Sequence, residues 1–224
     1  MLWRPRDYDF GETPLWRISL TSIAVLPRLL GTLFYYAPGT PEITGVVAEL
    51  DRLPVLYPWP DKPAVEAMCA TWLIPVADDF AYQFSVLFEG QGEMFAPPWG
   101  SVYLDRKNLL MGDSLVRYRE FLSHQGVAFN GKDNGTYGAK NNEPEDQFGL
   151  MLLALAWLLE QGNQTAAIIL LEQHLLPWSG RYLTLLQDNG VSDFYCRLAA
   201  LTNWLLQDLQ QRYALNPPAL HLYF

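Results

Sequence analysis

From Phe148 to Leu159 the chain reads Phe-Gly-Leu-Met-Leu-Leu-Ala-Leu-Ala-Trp-Leu-Leu, with no charged residue among them. Phe148, Met151, Leu152, Leu155, Ala156 and Leu159 follow the i, i+3, i+4, i+7, i+8, i+11 spacing of one helix face. Leu150, Leu153, Trp157 and Leu158 fill the other sides. A helix that is apolar all round must be covered by protein on every side. The rest of the sequence supplies material for that cover. Helical periodicity recurs over Ile18–Tyr36, Pro41–Leu53, Pro63–Leu73, Asp78–Phe88, Asp113–His124, Ala166–Leu176 and Phe194–Tyr213. Strand-like alternation is nearly absent, with Ser101-Val-Tyr-Leu104 the best candidate. The expectation is an all-α single domain over residues 17–224, preceded by a loosely attached arm at 1–16.

Composition narrows the function. The chain has 224 residues, 15 Lys and Arg against 24 Asp and Glu, a formal net charge of −9, and is half hydrophobic. A disordered chain pairs high charge with few apolar residues, and a nucleic-acid binder needs a cationic surplus to neutralise phosphates; neither fits. An acidic, aromatic-rich chain favours a partner that is cationic, apolar or both. Pro27 and Arg28 interrupt the first apolar stretch, so no run reaches the roughly 18 apolar residues of a membrane span. The N-terminus carries mixed charge and no apolar core, unlike a secretory signal. Cys69 and Cys196 are far apart and form no C-x-x-C, which fits reduced core thiols and a cytoplasmic location.

The loops carry their own signals. Pro54, Pro58 and Pro60 predict an extended connector over 54–60, and Ala96-Pro-Pro-Trp-Gly100 predicts the end of one helical region with no helix following directly. Gly131 to Lys140, with Asn134-Gly135, predicts a mobile surface loop. Asn163-Gln-Thr165 reads as an inter-helix turn.

Three segments stand out as candidate sites. In Asn141-Asn-Glu-Pro-Glu-Asp-Gln-Phe-Gly149, Pro144 occupies a plausible first helical position, Asn142 or Glu143 can cap, and Glu145 and Asp146 place negative charge at the positive end of the helix dipole. The same carboxylates could accept a guanidinium in bidentate fashion. The segment Ala96 to Arg106 joins a rigid Pro-Pro to Trp99, Gly100 and Tyr103; it is either a loop pinned to the core or the rim of an apolar groove. His174-Leu-Leu-Pro-Trp178 ends a helix at Pro177, with His174 as dipole partner or core histidine. Phosphate-loop, nucleophile-elbow, zinc-protease and dinucleotide motifs are all missing. Three histidines in separate segments predict neither a catalytic site nor a metal site by spacing.

Five stretches carry a family resemblance: Glu143-Pro-Glu-Asp146, Pro97-Pro-Trp-Gly-Ser-Val-Tyr-Leu-Asp-Arg106, Leu109-Leu-Met-Gly-Asp-Ser114, Phe34-Tyr-Tyr-Ala-Pro38 and His174-Leu-Leu-Pro-Trp178. In this order they resemble the TorD/DmsD/NarJ group of redox-enzyme maturation chaperones, with the likeness strongest toward its DmsD branch. The resemblance implies an all-α bundle of about ten helices and a cytoplasmic chaperone without a cofactor. Its implied client is the twin-arginine leader of a molybdopterin-containing reductase subunit, and the Tat translocase and cofactor-biosynthesis proteins are further implied partners. An apolar groove would supply most of the affinity for such a peptide, at roughly 1.5–3 kcal/mol per buried side chain before ordering costs, and the acids most of the discrimination.

Carried over residue by residue, the implied peptide-binding surface comprises Phe84, Leu87, Phe88, Pro98, Trp99, Gly112, Glu143, Pro144, Glu145, Asp146 and Gln147. Three positions depart from the family pattern. Gln147 stands where a histidine is common, which removes a titratable group; Phe84 and Gly92 stand where tryptophans are common, which predicts a roomier groove. The loop at 131–140 is also longer than usual. The alternatives are a NarJ-like assembly chaperone for a non-exported subunit and, from another class, a nucleotide- or small-molecule-dependent enzyme.

Overall fold

The computed structural model describes residues 20–90, 94–108, 110–128, 143–188 and 190–224. The arm at 1–16, the loop at 131–140 and Gly92 lie outside the described residues. Within them the protein is all-α: α1 Leu20–Tyr35, α2 Pro41–Val47, α3 Leu53–Leu56, α4 Lys62–Ala70, α5 Ala77–Phe88, α6 Gly100–Leu104, α7 Asp113–His124, α8 Phe148–Glu160, α9 Gln164–Ile169, α10 Leu176–Gln187 and α11 Asp193–Arg212. None of these helices is long and apolar enough to cross a membrane.

The apolar helix takes the central place its composition requires. In α8 every residue from Phe148 to Leu159 is buried except the half-buried Leu153 and Trp157. Its main neighbour is α1, which runs antiparallel to it. The contact depends on two glycines: a Cβ on Gly31 would lie 2.9 Å from the Gly149 carbonyl oxygen, and one on Gly149 would lie 2.8 Å from that of Gly31. The backbones therefore meet where neither residue has a side chain. At the far end of the pair, the Arg28 guanidinium makes a two-pronged hydrogen-bonded pair with Glu160, both contacts 2.6 Å. Around this axis a single cluster of buried side chains extends from Ile23 to Leu215. Phe34, Phe148, Tyr182, Trp178 and Tyr103 form one aromatic cluster within it, and Phe80, Phe84, Phe88, Phe194 and Tyr195 another; Phe34 and Phe88, 6.0 Å apart, join the two.

Three local expectations are corrected. Ser101–Leu104, the strand candidate, lies in the short helix α6 that begins directly after the Pro-Pro-Trp loop; four residues are too few to separate the two periodicities. The connector at 54–60 is extended only in its second half, since Pro54 sits in the first turn of α3, where its missing N–H leaves no gap. The helix expected to stop at Pro177 continues instead. A π-helical turn, Leu170–Leu175, leads straight into α10 with Pro177 at its start. The His174 carbonyl is taken by the Trp178 indole N–H at 3.0 Å. His174 is half-buried, with its ring 4.9 Å from that of Phe121 and 5.3 Å from that of Tyr118, and burial lowers its pKa from 6.5 to about 4. Cys69 and Cys196 are unbridged and half-buried.

The glycine contact yields a stability prediction. Gly149→Ala forces apart two helix backbones that no side-chain rotation can relieve, so it should lower unfolding free energy by about 1–3 kcal/mol, in the range of core overpacking. Gly45→Ala, where the added methyl meets nothing within 4 Å, should be neutral or slightly stabilising. Urea unfolding of both variants checks the pair; equal midpoints would contradict the close approach.

Candidate functional site: an acidic hollow at the start of the central helix

The site is built around two chain segments that pass each other. Phe148 N–H donates to the Pro98 carbonyl at 2.7 Å and Gly100 N–H to the Asp146 carbonyl at 3.1 Å, so Trp99 and Gln147 pair as an isolated antiparallel bridge. This pairing draws residues 144–147 out of the helix line. The start of α8 is accordingly Phe148, and its cap is Gln147, whose side-chain oxygen accepts from Leu150 N–H at 2.9 Å. The expectation that Pro144 opens the helix, with Glu143 as cap and Glu145 and Asp146 on its dipole, is corrected: Pro144 instead opens a turn closed by Gln147 N–H, 3.0 Å. Asn142 lies outside the described residues. The other end of the Gln147 amide donates to the Phe34 carbonyl in the last turn of α1, 3.1 Å. One neutral side chain thus fastens the start of α8 to the end of α1.

The three carboxylates of the segment have three different surroundings. Asp146 is only 3% exposed; its Oδ2 accepts the Ser101 N–H at the start of α6, 2.6 Å, while Oδ1 is buried with no partner among the described residues. Burial raises its pKa above the ordinary value, and hydrogen bonds from Ser101 oppose the rise. Glu145 pairs with Arg119 at 2.7 Å on the surface, where such pairs contribute at most about 1 kcal/mol. Glu143 accepts the Trp99 indole N–H at 2.6 Å.

Glu143 also borders a hollow lined by Tyr35, Ala37, Phe84, Phe88, Glu89 and Gln147, about 330 Å³ including the part open to solvent. Phe84 and Phe88 form its floor, packed on each other at 5.1 Å and on Tyr195 behind. The floor is closely packed, since these rings are 4% and 5% exposed. Glu89 follows the last turn of α5 and makes no ion pair among the described residues. Two carboxylates bordering one hollow match a guanidinium, whose N–H groups hydrogen-bond carboxylate oxygens in fixed geometry. A phosphate would be repelled by the same pair.

Of the sequence-derived residues, the fold brings Phe84, Phe88, Glu143 and Gln147 to the hollow, with Trp99 holding Glu143. Pro98 and Asp146 join the bridging segments behind it through their carbonyls, and Pro144 is buried beside them. Leu87 points into the core at 6% exposure. Glu145 faces Arg119. Gly112 stands apart at the start of α7, against the Asp105 carboxylate that receives Ser114 N–H. Three lining residues were missed: Tyr35, Ala37 and Glu89. Tyr35 and Ala37 lie within the Phe34–Pro38 stretch, and Glu89 is the first charge after the Phe84–Phe88 run. No local pattern joins them, because their meeting is tertiary.

The family model described as nitrate reductase delta subunit matches residues 64–184. A Tat proofreading chaperone, DmsD, from Salmonella typhi is 36% identical over 84% of this chain and 88% of its own length. A probable Tat proofreading chaperone DmsD from Haemophilus influenzae is 33% identical over 92% of this chain and 98% of its own length. The chain belongs to the TorD/DmsD/NarJ family of redox-enzyme maturation chaperones. Its fold agrees with a crystal structure described as a putative redox enzyme maturation protein from Archaeoglobus fulgidus, with a TM-score of 0.52 over 92% of this chain and 99% of that one at 14% identity. As a member of this family the protein is a chaperone rather than an enzyme.

In this chaperone Asp146 should leave a pH signature. Its carboxyl titrates higher in the folded than in the unfolded chain, so the native state binds its proton more readily. The associated stability is fully present below the unfolded value and is lost as pH rises through the raised one. Asp146→Asn keeps an acceptor for Ser101 N–H without the buried charge. Thermal unfolding should therefore show the variant gaining on the wild-type protein as pH rises above the ordinary aspartate value of about 4; a difference independent of pH would contradict the raised carboxyl.

Proposed function

We propose that this protein is a cytoplasmic, DmsD-type Tat proofreading chaperone. In this reading it binds the twin-arginine signal peptide of a molybdopterin-containing reductase catalytic subunit, of the dimethyl sulfoxide reductase type. It holds the subunit through folding and cofactor insertion before export through the Tat translocase. Relatives named as Tat proofreading chaperones support the class. The observation that carries the reading is the pair Glu143 and Glu89 over the Phe84–Phe88 floor, with Glu143 oriented by the Trp99 indole. Such a hollow distinguishes arginine from lysine, because an ammonium is a compact, strongly hydrated point charge that does not bond in a planar fork.

Calorimetry with a synthetic leader, an arginine pair followed by an apolar stretch, tests this. Hydrogen bonds to charged groups contribute about 1.5–3 kcal/mol each, so exchanging the pair for two lysines should weaken binding tenfold or more. Glu143→Gln keeps an acceptor for the Trp99 indole but removes the charge, and should weaken the arginine leader by a similar factor. Absence of leader binding, or equal binding of the lysine form, would overturn the reading. The match to the nitrate reductase delta subunit model favours a second reading, a NarJ-like chaperone for a subunit that is not exported. A client subunit lacking the arginine pair would decide for it.

A further inference from the structure

Helix α5 connects the acidic hollow to a second surface. At its C-terminal end lie Phe88 and Glu89, within the hollow. Before its N-terminal end, the α4–α5 loop presents Leu73, Ile74 and Val76 at 78%, 49% and 70% exposure. Large apolar side chains scattered singly over a surface need no explanation, but these three fall within four residues on a backbone that is fixed on both sides. Trp72 and Phe80 flank the loop, and both are buried against the Phe194 ring, at centroid distances of 5.4 and 4.8 Å. The loop cannot turn its apolar side chains inward, because the space behind it is filled by these two anchors. Between loop and hollow, α5 turns a continuous strip to solvent. Tyr82, 65% exposed, and Glu89 are seven residues apart and thus share one helix face to within about 20°. The half-buried Val86 lies beside them on the same side.

We infer that the apolar stretch of the leader docks along this face of α5, from the Glu89–Glu143 hollow over Val86 and Tyr82 to the Leu73–Ile74–Val76 surface, and therefore runs antiparallel to the helix. The inference rests on the proposed leader-binding function and adds the path and direction of the peptide. Carboxylates lie at both ends of this path, but only Glu89 and Glu143 share a hollow with Tyr35, Phe84 and Phe88, so the arginines bind there and the residues after them leave toward the apolar loop. Length is consistent with the other end. Thirteen residues of helix rise about 20 Å, which an extended peptide spans in about six residues. Asp78 and Asp79, exposed in the first turn of α5, stand one turn from Tyr82 on the same side and suit the positive end of the helix dipole, so the peptide passes between them to reach the loop.

The test compares two peptides on three proteins. One peptide carries the arginine pair and its apolar stretch; the other ends directly after the arginines. For the triple variant Leu73→Ser/Ile74→Ser/Val76→Ser, affinity for the long peptide should fall at least tenfold while affinity for the short one stays within twofold of wild type. Tyr82→Ala should act in the same sense by about threefold. All four side chains are exposed, so folding is retained, and circular dichroism verifies it. A photoreactive benzophenone at the end of the apolar stretch distal to the arginines should crosslink to residues 73–76, and one beside the arginines to the hollow. Unchanged long-peptide affinity, equal loss of both peptides, reversed crosslinks, or a change in self-association alone, which would mark the patch as a contact between copies of the chain, overturns the inference. If wild-type protein binds the long peptide with arginine dependence and the loop variants do not matter, only the path is wrong; if it binds neither peptide, the parent function fails with it.

Discussion

The arrangement of the site depends on the close approach of α1 and α8. Where Gly31 and Gly149 meet, the carbonyl of each helix occupies the place the other's Cβ would need, so the axes come nearer than paired side chains would permit. That approach puts Phe34 edge-on to Phe148 at 4.9 Å and brings the last carbonyls of α1 within reach of the residue capping α8. Gln147 uses both ends of its amide in this gap. Asparagine, serine, threonine and aspartate are the usual caps because they are short; here a longer side chain is needed, since the cap has a second acceptor on a different helix. With the end of α1 fixed against the start of α8, Tyr35 and Ala37 become one wall of the hollow and Glu143 another. Phe88, packed on Phe34, brings in α5 as the third.

Much of this fold was legible from one dimension. The all-round apolar character of α8, the apolar stripes of α5, α7 and α11, and the lack of strand periodicity define an all-α protein with α8 inside, and the boundaries of α5, α7 and α11 fall within one or two residues of those observed. The errors share a cause. Glu143-Pro-Glu-Asp146 has the local chemistry of a helix start, but pairing with Pro98–Gly100 supplies the hydrogen bonds that another helical turn would have made, and tertiary contact wins over propensity. Pro177 has the local chemistry of a helix stop, yet the π-turn before it carries the chain into α10 with Pro177 in the first turn, where a missing N–H is tolerated, and the Trp178 indole donates to the His174 carbonyl. In both places a tryptophan, Trp99 or Trp178, turns its N–H to an acceptor that sequence spacing does not reveal.

The site was legible in part for a related reason. Resemblance brings forward residue identities at aligned positions, and these fell in the right region; it does not say which side chain faces solvent. Asp146 and Glu143 are three residues apart with the same formal charge. One is enclosed behind the bridge, its carboxyl raised by burial and its Oδ2 holding α6; the other borders the hollow. Removing Asp146 therefore disturbs the platform, whereas removing Glu143 changes what the platform presents. A loss of binding in an Asp146 variant alone would not separate these effects, because α6, Trp99 and hence Glu143 all move with it.

The net charge of −9 takes on a narrower meaning through this geometry. At physiological ionic strength an exposed charge is screened beyond about 8 Å, so most of the acidic residues act on a distant cation only through a weak collective attraction that raises encounter rate. Glu89 and Glu143 differ because aromatic walls exclude water from one side of them, which strengthens each interaction at contact. The residue between them and the core also matters. Gln147 is neutral, buried, and hydrogen-bonded at both ends, so it adds no cation to compete with an incoming guanidinium. A protonated histidine in its place would offset one of the two glutamates and bring a further titration into the hollow. With glutamine there, the attraction of the hollow for a cation is set by the two glutamates among its lining residues.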